Sequence, residues 1–221
     1  MKTAIICCEN LKYELIKTLK KSGSSIPVIW ISSDYHINSD RLREKLQQEI
    51  DQLQDFEKIL LGFGCCGNSV IGLTATTADL VIPKAHDCIE ILLSRRNKKF
   101  KRRASTYFLS KGWLQSDKGI IQEHKRLVER YGEVKAKNIL KIMLNQYYSL
   151  MFIDSGVSDK AELDRLLKTS EQFAAAANLE LMVEKGGYWL LKALVQGLFE
   201  KDFIIIKKGE TVPMTAFMSS G

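Results

Sequence analysis

A short apolar run passes directly into a turn of glycines and cysteines in the segment Lys58-Ile59-Leu60-Leu61-Gly62-Phe63-Gly64-Cys65-Cys66-Gly67-Asn68. The apolar run is typical of a buried strand, and the glycines and asparagine that follow are typical of a tight loop. In open parallel sheets, ligands bind beyond the carboxyl ends of the strands. The segment therefore predicts a buried strand whose loop presents Cys65 and Cys66 at a ligand-binding edge.

The same alternation of strand and helix patterns continues along the chain. The predicted strands cover residues 3–7, 28–31, 58–61, 80–82, 105–109, 150–153, 179–183 and 203–206. Apolar residues at helical spacing predict helices over residues 10–21, 39–53, from about 86, and over 118–130, 134–150, 159–177 and 188–199. This order predicts an α/β fold, doubly wound and Rossmann-like, with a mostly parallel sheet and helices on both faces.

The chain contains no stretch rich in Gly, Ser or Pro that would act as a linker. We therefore expect a single α/β domain over residues 1–221, with a second lobe from about residue 115 as the alternative. No run approaches the roughly 18 apolar residues of a membrane helix. The apolar stretch at the N-terminus is too short for a signal peptide, so we expect a cytoplasmic protein that does not enter a membrane.

The cysteine count is odd, and the five cysteines are bunched as Cys7-Cys8, Cys65-Cys66 and Cys88. Neighbouring cysteines rarely bridge each other, and cytosolic thiols are kept reduced. This pattern disfavours a disulfide framework and favours ligand or redox chemistry.

Each cysteine follows or ends a predicted strand, and two histidines do the same. His36 follows the second strand and His86 follows the fourth, so thiols and imidazoles are expected to meet at one edge of the sheet. The helix that follows each loop stabilises a thiolate at its N-terminus. Three thiolates and an imidazole suit zinc, whereas three cysteines with an open position suit an iron–sulfur cluster. The alternatives are a metal-free dithiol redox site and cysteines that act only as small buried side chains.

Two other features are weaker signals. Asp87 either orients a ligating histidine or caps its helix. The Gly-x-Gly of residues 62–64 lacks the third glycine and the acidic residue of a dinucleotide fingerprint.

The net charge of +7 is concentrated in one segment, which contains Arg95, Arg96, Lys98, Lys99, Lys101, Arg102 and Arg103. A nucleic-acid surface would add aromatic platforms, and only Phe100 interrupts this run, so nucleic acid is disfavoured as a partner. The segment is interpreted as a solvated loop, with an anion-binding loop for a phosphate-bearing ligand or an acidic partner as the alternative.

Five motifs point to one family. They are Cys8-Glu9, residues 60–68, Pro83-Lys84-Ala85-His86-Asp87-Cys88-Ile89, Ser105-Thr106-Tyr107-Phe108-Leu109 with Gly112-Trp113, and Ile153-Asp154-Ser155-Gly156. Over nearly its whole length the chain resembles an uncharacterised prokaryotic family, domain of unknown function sixteen thirty-eight.

This resemblance implies metal ligands at Cys8, Cys66, Cys88, His36 and His86, with Glu9 and Asp87 beside them. Cys7 and Cys65 are additions of this sequence and possible further ligands. Lys84 stands where arginine is usual, and Ser94-Arg95-Arg96 replaces a glycine-bearing turn, which argues against phosphate binding near Arg95. The resemblance also implies a setting in anaerobic one-carbon metabolism, with a corrinoid protein or a methyltransferase as partner. Zinc and an iron–sulfur cluster both remain open as the cofactor.

Overall fold

The computed structural model describes residues 2–98 and 100–217. It confirms the predicted α/β class with mostly parallel strands. The strands are β1 Thr3–Cys8, β2 Val28–Ile31, β3 Lys58–Gly62, β4 Asp79–Pro83, β5 Thr106–Ser110, β6 Ser149–Asp154, β7 Glu180–Lys185 and β8 Phe203–Ile206. The helices are α1 Lys12–Ser22, α2 Ser39–Gln52, α3 Cys88–Leu93, α4 Lys111–Leu114, α5 Ile120–Tyr131, α6 Glu133–Met143, α7 Lys160–Ala177 and α8 Trp189–Gln196.

The strands form two sheets, each in its own compact unit. The first unit comprises Met1–Phe100 with Tyr188–Gly221, and the second comprises Lys101–Gly187. The expectation of one domain, with a second lobe from about residue 115, stays a prediction, because compact units within one chain do not by themselves report independent folding.

The first unit contains a five-stranded sheet in the order β2-β1-β3-β4-β8. Strands β1 to β4 are parallel, and β8 runs antiparallel to β4 at the edge. Alternate residues of these strands pack against helix α2 in one core, which includes Ile6, Cys8 and Leu61 from the sheet and Leu42, Leu46 and Ile50 from the helix. The sheet therefore separates α2 from the opposite face, where α8 packs against β3 and β4.

The second unit contains a three-stranded parallel sheet in the order β5-β6-β7. Leu109 of β5 and Phe152 of β6 lie in register and pack with Phe173 of α7 and Leu140 of α6 in a separate core. No helix in the described residues has both the length and the apolar character needed to cross a bilayer.

Two segments that lack a periodic pattern are ordered by short 3₁₀ turns. The polar loop before α2 forms the turn Ser33–Ile37, in which the Ser32 hydroxyl accepts from the amide of Asp34. In the C-terminal tail, which begins at Pro213, residues Met214–Phe217 form a turn, and Phe217 packs against the core of the first unit. Such turns are held by capping and tertiary contacts, which leave no periodic signal in a sequence. Residues 218–221 of the tail lie outside the described residues.

Asn38 caps the N-terminus of α2. The Asn38 side chain accepts hydrogen bonds from the amides of Asp40 and Arg41 at 2.9 and 3.0 Å. These bonds satisfy donors that the first turn of a helix leaves without an intrahelical partner. The cap fixes the end of the segment that carries His36.

Gly62 leaves room for a cysteine on the neighbouring strand. Cys7 and Gly62 lie in register on β1 and β3, and a Cβ atom at residue 62 would collide with the Cys7 sulfur and lie 3.0 Å from its Cβ. We therefore expect Gly62→Ala to lower the free energy of unfolding by about 1–3 kcal/mol, the usual cost of overpacking. Urea unfolding measures the change.

The combination Cys7→Ala/Gly62→Ala is the matched control. Removal of the sulfur should recover part of the loss, because the largest clash is then gone. Equal destabilisation in the single and the combined variant would show that Cys7 is not the group that Gly62 accommodates.

Candidate thiolate site

All five cysteines lie at the carboxyl ends of parallel strands in the first unit, as the sequence predicts. Cys7 and Cys8 end β1, Cys65 and Cys66 lie in the loop after β3, and Cys88 is the first residue of α3 after β4. All five are free thiols. Four are buried and Cys66 is half-buried.

The pleat of β1 sends its two cysteines to opposite faces of the sheet. Cys8 lies in the core that includes α2, beside Phe63. Cys7 lies on the other face, where its thiol is near the backbone oxygens of Cys8 and Gly62 at 3.6 and 3.7 Å. Of this neighbouring pair, only Cys8 faces the side on which His36 packs.

Cys8 and His36 are in direct contact. The Cys8 Sγ and the His36 Nε2 are 3.1 Å apart. The 3₁₀ turn Ser33–Ile37 places the imidazole over Phe63, with ring centroids 6.2 Å apart and planes 19° apart. The strand β2 and the turn after it therefore deliver a histidine to the end of β1, although neither has a metal-binding sequence motif.

The loops after β3 and β4 are joined through their backbones. The amides of Cys65 and Cys66 donate to the carbonyl oxygens of Ala85 and His86 at 2.7 and 2.8 Å. Gly64 allows this approach, because a Cβ atom there would lie 2.7 Å from the Ala85 oxygen and from the Asp87 nitrogen. We call these two hydrogen bonds the clamp. They place the backbone of Cys66 beside the segment that leads into Cys88.

Cys66 has a left-handed backbone, with a φ of 45°. Only glycine adopts this region without steric cost. A cysteine held there by the surrounding hydrogen bonds is the kind of outlier that concentrates at functional sites.

His86 and Asp87 contribute mainly to the local frame. Asp87 caps α3 by accepting from the Glu90 amide at 3.0 Å, and the Glu90 carboxylate accepts from the His86 amide at 2.7 Å. The His86 residue is exposed, whereas His36 is half-buried. Of the two predicted histidine ligands, the structure therefore brings His36 to a thiol and uses the backbone of His86 to hold the loops together.

The electrostatics couple the thiols to each other. Burial raises the pKa of the Cys8 thiol well above its usual value, and Cys88 raises it further. Burial also raises the pKa of Cys66, with additional contributions from Cys88 and Cys8. Burial lowers the pKa of His36, while the Asp87 carboxylate opposes that shift. At neutral pH these groups are therefore neutral thiols beside a neutral imidazole.

Two backbone amides favour negative charge on the sulfurs. The Asn10 amide hydrogen-bonds to Cys8 and the Gly64 amide to Cys66, and each bond lowers the pKa of its thiol against the larger effect of burial. Neutral imidazole and thiolate are the ligand forms that bind zinc or iron, and a hydrogen bond to the sulfur favours the thiolate. The donor types therefore fit such a metal.

The arrangement of these side chains fits a metal less well than their chemical types do. Within residues 2–98 and 100–217, no group of three or more His, Cys, Asp and Glu side chains is arranged to hold a metal ion. Cys8 and His36 form a close pair, and the predicted further ligands Cys66 and Cys88 lie near enough to interact electrostatically. Cys65 is occupied elsewhere, since its thiol lies 3.3 Å from the Asn68 Oδ1. Glu9, the predicted neighbour of the ligands, is exposed.

The basic segment has more anchors than the sequence suggests. The guanidinium of Arg96 lies over Trp189, 5.2 Å from the ring centroid, and that of Arg102 lies over Phe108 at 5.4 Å. Arg95 and Lys98 pair across a tight turn, in which Asn97 has a φ of 59°. These contacts hold parts of the segment against each unit. Lys99 lies outside the described residues, and both interpretations of the segment stay predictions.

Sequence reasoning missed Glu14, which is completely buried in α1. Burial raises the pKa of Cys7, on the face of the sheet opposite Cys8, and the Glu14 carboxylate raises it further. A signal was present, because Glu14 lies between Leu11, Leu15 and Thr18 at helical spacing and so falls on the buried stripe of α1. The contributions of the Asn10 and Gly64 amides left no signal, because backbone groups are the same in every residue.

Accessibility should order the reactivity of the cysteines. We expect iodoacetamide to modify Cys66 before the four buried cysteines, and more slowly than a free cysteine, because burial raises its pKa. Peptide mapping by mass spectrometry after timed quenching measures the order. A Cys66→Ser variant should lose the fastest-reacting site, and earlier modification of Cys7 or Cys8 would contradict the arrangement.

The clamp should be sensitive to a single methyl group. Gly64→Ala should lower the free energy of unfolding by about 1–3 kcal/mol, because the added carbon overlaps backbone atoms that cannot rotate away. The same change should accelerate Cys66 alkylation, since the loop can no longer seat against Ala85 and His86. Unchanged stability together with unchanged alkylation would show that the loops do not depend on this approach.

Residues 30–195 match the family model described as "Protein of unknown function (DUF1638)". No curated protein and no solved structure matches the chain. The match covers most of the chain and includes His36, Cys66 and Cys88. The chain belongs to the DUF1638 family.

Proposed function

We propose that the protein binds a transition metal through Cys8, His36, Cys66 and Cys88, with zinc as the ion. The observation that supports this most directly is the 3.1 Å contact between the Cys8 sulfur and the His36 Nε2, at an edge where Cys66 and Cys88 lie near enough to interact electrostatically with Cys8. Three thiolates and one imidazole form a common tetrahedral ligand set for zinc. Ligation requires the Cys66 and Cys88 side chains to turn towards the ion.

The state of the thiols favours this over a metal-free redox pair. Dithiol oxidoreductases and nucleophilic cysteines depend on a lowered thiol pKa. Burial instead raises the pKa of Cys8 and Cys66. A divalent cation supplies the positive charge that a buried thiol needs in order to lose its proton, so metal binding and deprotonation proceed together.

The role of the metal is proposed from its chemistry and from the family. A zinc ion acts as a Lewis acid that activates a thiol or alkyl acceptor. We propose that the acceptor receives a methyl group from a corrinoid protein or a corrinoid-dependent methyltransferase, in the one-carbon metabolism of an anaerobe. Five free thiols are compatible with the reducing cytoplasm in which such a reaction would occur. The residues of this chain would hold and orient the thiolates and exclude water behind Cys8.

An iron–sulfur cluster is the second candidate. The backbone amides of Asn10 and Gly64 that bond to Cys8 and Cys66 favour it, because hydrogen bonds to sulfur tune such clusters. Cys8, Cys66 and Cys88 would hold the cluster, with an open position or His36 completing the set. The protein would then transfer electrons or deliver the cluster.

Metal analysis of anaerobically purified protein separates the candidates. We expect a colourless protein with about one zinc per chain, whereas charge-transfer absorption near roughly 400 nm would indicate the cluster. Serine at Cys8, Cys66 or Cys88, and alanine at His36, should lower zinc affinity at least about tenfold, because a neutral hydroxyl or a methyl cannot replace the lost ligand.

Three residues near the site provide matched controls. Cys7→Ser, Cys65→Ser and His86→Ala should each retain zinc, since Cys7 lies on the opposite face of the sheet, the Cys65 thiol donates to Asn68 and His86 is exposed. Equal loss in all five cysteine variants would favour a larger iron–sulfur centre. Wild-type protein that binds neither zinc nor iron after reconstitution would refute the proposal.

A further inference from the structure

Exposed apolar side chains are concentrated in one part of the second unit. Among the described residues, ten large apolar side chains are exposed, and five of them lie between residues 131 and 148. They are Tyr131, Val134, Ile142, Met143 and Tyr148, with exposures of 40%, 80%, 72%, 45% and 76%. Single exposed apolar residues are ordinary, but a concentration of them marks an interaction surface.

Helix α6 carries the centre of this concentration. Its buried residues Ala136 and Leu140 face the core of the second unit, and Leu140 packs there with α7. Val134 and Ile142 are eight residues apart, slightly more than two turns, and so lie on one side of the helix, away from the buried stripe. Core packing therefore accounts for one face of α6 and leaves Val134 and Ile142 exposed on the other face.

Basic side chains alternate with these apolar groups along the sequence. Arg130, Lys135, Lys137 and Lys141 are all exposed, and Glu133 is the only acidic residue between Arg130 and Tyr148. Within the described part of the chain, none of the four cations forms an ion pair. Arg130 and Lys135 lie over the Tyr131 ring, 5.3 and 5.6 Å from its centroid. The α6 surface, meaning these four cations with the five exposed apolar residues, combines exposed apolar side chains with positive charges that form no ion pair among the described residues.

We propose that the α6 surface docks another protein whose own surface combines apolar side chains with acidic ones. Tyrosine, methionine and arginine, all present here, are enriched at protein interfaces. The cations would raise the rate of encounter with an acidic partner, and the apolar side chains would hold it after contact. The surface lies in the second unit, so this inference is independent of the thiolate site and goes beyond the proposed metal binding.

Charge and the arrangement of side chains argue against three other occupants. A second copy of the chain, packed on the same surface, would bring the cations of both copies together. Helices that lie on membranes segregate an apolar face from a basic one and insert the apolar face, whereas the exposed side of α6 mixes both kinds. Nucleic acid would engage the cations and Tyr131, but would give Val134, Ile142 and Met143 no role.

The test uses a labelled helical peptide with a leucine stripe flanked by glutamates, and fluorescence anisotropy with the full chain. We expect binding that weakens as salt is raised. The apolar variant Val134→Ser/Ile142→Ser and the charge variant Lys135→Gln/Lys137→Gln/Lys141→Gln should each weaken binding at least about tenfold. Only the charge variant should also flatten the salt dependence.

The matched control variants make the same kinds of substitution at residues outside the α6 surface. Lys20→Gln/Lys21→Gln/Lys168→Gln removes the same charge elsewhere, and Val183→Ser/Ile205→Ser removes two other exposed apolar side chains. Both should bind within about twofold of the wild type. Circular dichroism on every variant identifies any that fails to fold. If the apolar variant fails to fold, the charge variant decides the outcome, and if the charge variant fails, the apolar variant decides it.

Several results would overturn the proposal. These are absence of peptide binding, equal loss of binding in the control variants, or a glutamine-flanked peptide that binds as well as the acidic one. Binding to phosphatidylglycerol vesicles or to single-stranded DNA that the apolar variant leaves intact would assign the surface to lipid or nucleic acid. Sedimentation that reveals a dimer abolished by the α6 substitutions would assign it to a second copy of the chain.

Discussion

The amides of Cys65 and Cys66 donate to the carbonyl oxygens of Ala85 and His86, and this pair of bonds joins two loops that no strand pairing holds together. The loops begin at neighbouring parallel strands, so the sheet brings their starting points close but does not set the path that either follows. The clamp sets that path, because it fixes the backbone directly after Gly64 against Ala85 and His86. The positions of Cys66 and of the first turn of α3, which contains Cys88, both depend on it.

A frame made of backbone hydrogen bonds tolerates substitutions of the surrounding side chains. Side chains around the loops can change without loss of the two hydrogen bonds, provided that residue 64 stays glycine. The capping interactions of Asp87 and Glu90 add a second, side-chain layer, which holds the amide of His86 while its carbonyl receives Cys66. His36 is positioned differently, by a capped turn and by contact with Phe63. The site is thus assembled from one rigid loop pair and one imidazole brought from the adjacent strand.

Much of this arrangement follows from local pattern. All eight strands could be predicted, because each is a short apolar run bounded by polar or glycine residues, and the placement of every cysteine at a strand end follows from that pattern together with parallel topology. The division of the strands into two sheets could not be predicted, because an apolar run does not specify which other run pairs with it. The choice of His36 over His86 was equally hidden, since both follow strands and only the packing of Phe63 and the clamp distinguish them. The opposite orientation of Cys7 and Cys8 could have been read from the two-residue period of a strand.

The left-handed backbone of Cys66 gives the site an evolutionary signature. A side chain in that region costs roughly 1–2 kcal/mol relative to glycine, and a flanking glycine, Gly67, already adopts a similar conformation with a φ of 68°. Random substitution under pressure for thermal stability alone would therefore drift towards glycine at position 66 and lose the thiol. A lineage that keeps cysteine there must be retaining it against that drift, so the identity of this one residue reports whether a descendant still needs its sulfur.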